Sequence, residues 1–218
     1  MAESSTASKA NVERFNAIAA TWDESPRRVE LARAVAGAIL SRIAPDGTER
    51  AMEFGSGTGL VTGLLAPNLG HVLAVDSSSG MLDVLRSKLQ EHGIRNVETL
   101  QADLADVMPA GPFDLVYSSM TLHHIDDVAG LLSRVHDGLA PGGRIALADL
   151  APEDGSFHDS DTAGIMHHGF DPAELTDWAK AAGFADIHIT TVHQIRKERP
   201  DRTERCYPVL LVTARRPE

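Results

Sequence analysis

The chain contains the segment Ala51-Met52-Glu53-Phe54-Gly55-Ser56-Gly57-Thr58-Gly59. Apolar residues lead into an acid, three glycines follow at alternate positions, and a helical apolar pattern begins directly after them. This order predicts a buried strand, a glycine turn and a helix. Glycine lets the backbone approach a bound molecule, and the start of a helix leaves N–H groups free to face a ligand. The segment therefore predicts a ligand site after the first strand.

Strands and helices alternate on both sides of this segment. Arg50–Phe54 is the first predicted strand, and the others are His71–Val75, Asn96–Gln101, Phe113–Tyr117, Arg144–Ala148, Ala185–Thr190 and Pro208–Ala214. Amphipathic helical patterns separate most of them, and this alternation is typical of an α/β fold with a mostly parallel sheet covered on both faces. In such a sheet, ligands bind at the carboxyl ends of the strands.

The size of the chain predicts one domain. It has 218 residues, 43% of them hydrophobic, which is enough for a sizeable core. Residues 1–10 are small and polar and predict a flexible tail, so the domain is expected to cover residues 11–218.

Composition also limits the partners and the location. The net charge of −11 argues against nucleic acid, because a polyanion needs a positive face on its protein partner. The single cysteine, Cys206, excludes a thiol-rich metal site and an internal disulfide. No segment resembles a signal peptide or a membrane span, so we expect a cytoplasmic protein without a membrane partner. The oligomeric state is left open.

An acid follows the second predicted strand. Asp76 lies 21 positions after Gly55, where a carboxylate can accept hydrogen bonds from both hydroxyls of a ribose. The same arrangement serves a nicotinamide dinucleotide and an adenosine, so this pair alone leaves both ligands open.

Three features favour the adenosine. The dinucleotide fingerprint needs a glycine at its sixth position. Counted from Gly55 this position is Leu60, and counted from Gly57 it is Thr62. Glu53 is poorly suited to a pyrophosphate and better suited to a zwitterionic amino acid. Asp103 and Leu104 follow the third strand, where a carboxylate can accept from an adenine amino group while the apolar side chain packs on the ring.

Several motifs carry a resemblance to a known family, and they occur in the family's order. They are the glycine turn at 53–59, Val75-Asp76 with Met81, Gln101-Ala102-Asp103-Leu104, Phe113-Asp114-Leu115-Val116-Tyr117-Ser118, and Leu139-Ala140-Pro141-Gly142-Gly143. On these residues the chain resembles the class I S-adenosylmethionine-dependent methyltransferases, of the small-molecule type that includes ubiquinone- and menaquinone-biosynthesis enzymes. The resemblance covers about residues 50–150, the cofactor half of the domain.

The resemblance implies a fold, a cofactor and a site. The fold is a Rossmann-like seven-stranded, mostly parallel sheet with the last strand antiparallel and helices on both faces, and the cofactor is S-adenosyl-L-methionine. The implied cofactor-binding residues are Glu53, Gly55, Ser56, Gly57, Asp76, Ser77, Met81, Asp103, Leu104 and Ser118. Among them, Asp76 would bind the ribose hydroxyls, Ser77 and Met81 would flank the adenine, and Ser118 would lie near the sulfonium.

Methyl transfer from such a donor is a direct displacement, so the protein mainly positions the acceptor and excludes water. A general base helps only where the acceptor must lose a proton, and the candidates are His123, His124 and His168. The irregular insertion at 150–170 and the N-terminal helices are expected to cover the acceptor site. We expect no metal, because the spacing of His158, Asp159, Asp161, His167 and His168 matches no ligand pattern.

The sequence therefore predicts a methyltransferase acting on a small molecule. Methylation of a macromolecule and a non-catalytic relative that only binds the cofactor are the alternatives, and a nicotinamide-dependent oxidoreductase is a more distant one. The acceptor is not identified by any motif, although the acidic insertion suggests a cation or an amine.

Overall fold

Seven strands form one sheet in the order β3-β2-β1-β4-β5-β7-β6. They are β1 (Arg50–Phe54), β2 (His71–Asp76), β3 (Val97–Gln101), β4 (Phe113–Ser119), β5 (Leu139–Leu150), β6 (Ala185–Glu198) and β7 (Glu204–Arg215). The structure, a computed structural model, describes the backbone of residues 2–104, 108–158, 164–198 and 204–218, and side chains from residue 9 onward.

The first five strands are parallel, and β7 runs antiparallel to both of its neighbours, β5 and β6. The predicted Rossmann-like sheet with an antiparallel last strand is confirmed. After β3 the chain crosses to the other side of β1, so the strand order reverses between β1 and β4. Ligands bind at such a reversal in open α/β sheets.

Six α-helices pack around this sheet within the described residues. They are α1 (Ala2–Ile18), α2 (Pro26–Ile43), α3 (Leu60–Leu65), α4 (Ser79–Glu91), α5 (Val128–Gly138) and α6 (Pro172–Ala181). Helices α5 and α6 pack on one face, against residues such as Met52 and Ile145. Helices α2 and α3 pack on the other, against residues such as Ala51 and Ala146. Successive residues of a strand thus pack into the cores on opposite faces of the sheet, as the two-residue period of a strand requires.

Two boundaries differ from the sequence prediction. Helix α1 begins at Ala2, within residues 1–10, and the flexibility of that segment stays a prediction. The segment from Ala2 to Ile18 has no glycine or proline and several alanines, which favour a helix without an apolar stripe. Strand β5 begins at Leu139 rather than at Arg144, because the segment expected to be a turn pairs with β4 through Leu139 and Phe113.

The final hairpin is longer than predicted. Strand β6 continues to Glu198 and β7 begins at Glu204, so both ends of the segment expected to be a charged tip (Arg196–Arg205) are strand, and residues 199–203 lie outside the described residues. Within the part of the chain that the structure describes, no helix combines the length and the apolar character needed to cross a bilayer.

Candidate functional site

The glycine turn links β1 to α3. Gly55, Gly57 and Gly59 have φ angles of 64°, 54° and 76°, in the left-handed region that side chains disfavour. A Cβ atom at Gly55 would overlap the side chain of Thr121, whereas one at Gly57 would meet nothing within 4 Å. Glycine is therefore needed at Gly55 for packing, while the space beside Gly57 is open to a ligand.

Asp76, at the end of β2, is bonded to the turn. Its Oδ2 accepts from the Gly57 N–H at 2.7 Å, and its Oδ1 accepts from the Ser78 N–H at 2.8 Å. Burial raises the pKa of this carboxyl, and these two N–H donors oppose the rise. The side chain thus has a fixed orientation, and each carboxylate oxygen retains a lone pair for a ligand hydroxyl.

Glu53 is buried at the end of β1 and is 2% exposed. The Thr62 hydroxyl donates to its carboxyl, and Tyr117 lies beside it. Burial raises the pKa of Glu53 to about 8, although these two hydroxyls act in the opposite direction. The carboxyl is therefore mostly protonated at pH 7 and can ionise when a cation comes close.

These residues face a cavity of about 440 Å³ at the carboxyl ends of β1, β2 and β4. We call it the strand-end cavity. Its volume is within the range of small-molecule sites. It is lined by nine of the ten predicted cofactor-binding residues: Glu53, Gly55, Ser56, Gly57, Asp76, Ser77, Met81, Asp103 and Leu104.

Ser118, the tenth, does not line the cavity. It is 1% exposed, and its hydroxyl donates to the Phe54 carbonyl of the neighbouring strand at 2.8 Å. The cavity is lined instead by Ser119, the next residue of β4. Successive strand side chains point to opposite faces, so an error of one position places a residue on the wrong side.

The lining fits an adenosine joined to an amino acid. The hydroxyl of Ser56 is buried in the turn without a hydrogen-bond partner among the described residues, which leaves a donor for a ligand. The open space beside Gly57 lets a ligand approach the backbone. Asp76 offers oxygens to a ribose, and Asp103 and Leu104 provide a polar and an apolar wall.

The N-terminal segment covers the cavity and is hydrogen-bonded to residues that follow β2. Asn16 Oδ1 accepts from the Ser78 hydroxyl at 2.7 Å and from the Gly80 N–H at 2.9 Å. Asp23 forms an ion pair with Lys88, whose Nζ lies 2.6 Å from Oδ2. Trp22, which precedes this acid, lines the cavity.

A buried histidine–aspartate pair lies at another part of the cavity wall. His123 Nδ1 and Asp149 Oδ1 are 2.7 Å apart, and both side chains are at most 3% exposed. Burial raises the pKa of Asp149, but the charge and hydrogen bonds of His123 outweigh it, and the pKa is lowered overall. Since Nδ1 is engaged by Asp149, the Nε2 atom of His123 is the one left for a ligand.

Two more histidine rings pack against His123, with centroids 4.2 Å away for His124 and 5.0 Å away for His158. Burial and the neighbouring His123 lower the pKa of His124 to about 4 and that of His158 to about 3. Both rings are therefore neutral at pH 7. His168, the third candidate base, does not line the cavity: its side chain is 60% exposed and faces Glu153 at 3.4 Å.

Sequence reasoning missed Asp149, which is bonded to the cavity residue His123, and it missed that His158 lines the cavity. Asp149 follows the core of β5, and an acid at a strand end was a usable signal. His158 comes from the insertion at 150–170, whose lack of periodicity gave no signal. Across the described residues, His, Cys, Asp and Glu side chains form no group of three that could hold a metal ion; Asp159 and Asp161 lie outside them.

Comparison with known proteins gives the class. Residues 51–143 match the family model described as a methyltransferase domain. The chain is 33% identical over 135 residues to trans-aconitate 2-methyltransferase of Azoarcus sp., covering 58% of this chain and 50% of the relative. It is 28% identical over 173 residues to the ubiquinone biosynthesis O-methyltransferase of Xylella fastidiosa, covering 73% and 69%.

Among solved structures, the DhpI–SAH complex superposes with a TM-score of 0.72 at 26% identity, covering 96% of each chain. The chain spans about half the length of the first curated relatives that it matches. Fold and matches together show that it contains an S-adenosylmethionine-dependent methyltransferase domain of class I. S-adenosylmethionine is the cofactor of this class.

Proposed function

We propose that this protein transfers a methyl group from S-adenosylmethionine to a small-molecule acceptor. The observation that carries the proposal is the strand-end cavity itself, because it is lined by the glycine turn, by Asp76 and by His123, whose ring is paired with the buried Asp149. An adenosine site and a candidate base are thus within one volume of about 440 Å³. A cavity covered by α1 and by residues of the insertion suits a small acceptor better than a macromolecular chain.

When bound, S-adenosylmethionine supplies a methyl group that is already activated on a sulfonium, so the protein mainly binds, orients and excludes water. We assign the ribose hydroxyls to Asp76, the adenine to Asp103, Leu104 and Met81, and the amino acid part to the turn beside Gly57. Glu53, at the end of β1, suits the ammonium of the amino acid part.

His123 is the proposed general base for an acceptor that carries a proton. Asp149 fixes the ring through Nδ1, so Nε2 can take a proton from an acceptor hydroxyl as that oxygen bonds to the methyl carbon and the methyl–sulfur bond breaks. His124 and His158 do not compete for this proton at pH 7, because their pKa values are about 4 and about 3.

Cofactor binding is the first test. Isothermal titration calorimetry with S-adenosylmethionine and S-adenosylhomocysteine should show binding by the purified protein, and Asp76→Ala should weaken it by at least about tenfold through lost bonds to a charged acceptor. Asp83→Ala is the matched control, because Asp83 is exposed on α4, pairs with Arg86 and does not line the cavity. Absence of binding by both ligands to the unaltered protein would refute the proposal.

The class of acceptor needs a second test. The protein is incubated with radiolabelled S-adenosylmethionine and a cell extract separated into low-mass and high-mass fractions. We expect label to enter the low-mass fraction, with a rate reduced in His123→Gln. Label entering only protein or nucleic acid would instead support a macromolecular acceptor, and binding without any transfer would support a non-catalytic role.

A further inference from the structure

Three arginines line the strand-end cavity without an acidic partner. Arg14 lies on α1, and Arg27 and Arg28 lie in the first turn of α2. None of them has a carboxylate within 4 Å in the described part of the chain. Elsewhere, ion pairs with carboxylates are formed by Arg86, Arg144, Arg196, Arg205 and Arg215. The three side chains, which we call the arginine cluster, bring positive charge into one cavity of a protein whose net charge is −11.

The cluster is held in place by neutral contacts. Arg28 Nη1 donates to the Trp22 carbonyl at 3.0 Å, and its guanidinium carbon lies 3.6 Å from the centroid of the Trp22 ring. Burial and the charges of Arg27 and Arg14 lower the pKa of Arg28, so the three cations are close enough to repel one another. The charge of Asp23 acts in the opposite direction on the pKa of Arg28, but this carboxylate is paired with Lys88. The positive potential of the cluster is therefore left for a ligand to neutralise.

One member of the cluster, Arg14, lies near the histidines. The ring of Phe15, the next residue, packs edge-on against His124 with the centroids 5.6 Å apart, and the charge of Arg14 is a minor cause of the lowered pKa values of His124 and His158. Acids also line the cavity, but most lie on the sheet side, at or after strand ends: Glu53, Asp76 and Asp103, with Asp126 in the loop after the histidines. Glu53 is mostly neutral at pH 7 in the free protein, and we assign its ionised form to the ammonium of the cofactor.

A bound cofactor would not neutralise this charge. S-adenosylmethionine carries a sulfonium, an ammonium and one carboxylate, so its own net charge is positive. Its carboxylate can occupy one guanidinium at most in a two-bond fork. If the acceptor were also a cation, the other guanidinium groups would face it. Contact between like charges is electrostatically unfavourable inside a covered cavity.

We infer that the methyl acceptor carries an oxyanion, a carboxylate or a phosphoryl group, which binds to the arginine cluster. The inference rests on the proposed function and adds the substrate class to it. It replaces the expectation of a cationic or amine acceptor, which was based on the acidic insertion: Asp154 of that insertion pairs with Arg205 away from the cavity lining. Aromatic rings of Phe15, Trp22 and Phe157 also line the cavity and suit an apolar body on the acceptor.

Matched probes test the inference without knowledge of the true acceptor. The protein saturated with S-adenosylhomocysteine is titrated by calorimetry with benzoate, phenylphosphonate, benzamide and benzylamine. These share the ring and differ in the charged group. We expect the two anions to bind at least about tenfold more tightly than the amide and the amine, as for a charge-assisted contact. The order of benzoate and phenylphosphonate tells the two oxyanions apart.

Single variants then locate the contact. Arg14→Gln, Arg27→Gln and Arg28→Gln are each expected to weaken binding of the preferred anion, and the strongest effect should be at least about tenfold. Arg33→Gln is the matched control, because Arg33 is exposed on the same helix and does not line the cavity. Circular dichroism checks that each variant is folded.

The outcomes separate the two proposals. If the unaltered protein does not bind S-adenosylhomocysteine, the proposed function fails. If it binds that ligand but binds no anion, or binds the amide or the amine as tightly as the anions, only the present inference is overturned. It is also overturned if the three variants lose affinity for S-adenosylhomocysteine alone, because the arginines would then serve only the cofactor.

Discussion

Glu53 gives the sharpest prediction. Its pKa in the free protein is about 8, so about 90% of the carboxyl is protonated at pH 7 and about half at pH 8. A ligand ammonium next to Glu53 favours the ionised form and lowers this pKa well below 7. Binding of S-adenosylhomocysteine should therefore release about 0.9 proton at pH 7 and about 0.5 proton at pH 8.

The affinity for S-adenosylhomocysteine should depend on pH through the same ionisation of Glu53. Below pH 8 the ligand must bind to the minor, ionised form of Glu53, so the association constant should rise about tenfold for each pH unit up to 8 and then level off. Calorimetry in buffers of different ionisation enthalpy measures the released protons directly. Glu53→Gln is the control, because the amide cannot release a proton and should abolish both effects while Asp76 and Asp103 remain.

The reasoning would be refuted by binding that releases no proton at pH 7 in the unaltered protein. It would also be refuted if Glu53→Gln released as many protons as the unaltered protein, since another group would then be the source.

Three further predictions concern the free protein and the turn. Asp149→Ala breaks a buried pair and should lower the free energy of unfolding in urea by about 3–5 kcal/mol, and a loss below about 1 kcal/mol would contradict the assigned contact. Gly57→Ala should cost only about 1–2 kcal/mol of stability but abolish binding of S-adenosylhomocysteine. Gly55→Ala should cost more stability, because its Cβ overlaps Thr121. Equal stabilities of the two variants would argue against the overlap at Gly55. Because the pKa of Glu53 is raised on folding, stability should fall as pH rises from about 5 to 8, and Glu53→Gln should flatten that decline.

The sheet and the cofactor side of the cavity were largely predictable. Each predicted cofactor residue follows a strand or begins a helix, so its neighbours along the chain locate it. The exception is Ser118, where the motif gave the strand but not which face of the strand meets the cavity. The extent of α1 was also missed, because residues 2–10 lack the apolar periodicity by which helices are recognised.

The acceptor side could not be predicted in the same way. Asp149 lies 26 residues from its partner His123, and Arg14 on α1 is brought to histidines that follow β4 and lie in the insertion. No local period or motif links such residues, because their contacts depend on how the N-terminal helices and the insertion pack over the sheet. His168 illustrates the same difficulty: its residue type and its place in the insertion made it a candidate base, but its side chain lies near Glu153 and does not line the cavity.

The sequence by itself determined the strand–helix order, the glycine turn and the end of the sheet at which a ligand binds. These features depend on local hydrophobic periodicity and on backbone freedom at a few glycines, which can be read along the chain. Only the tertiary structure decided that His123 is held by Asp149, that Ser119 rather than Ser118 faces the cavity, and that three arginines line it with no ion pair to a carboxylate of the described residues. Such properties arise from burial and from contacts between distant segments, and they exist only once the chain has packed.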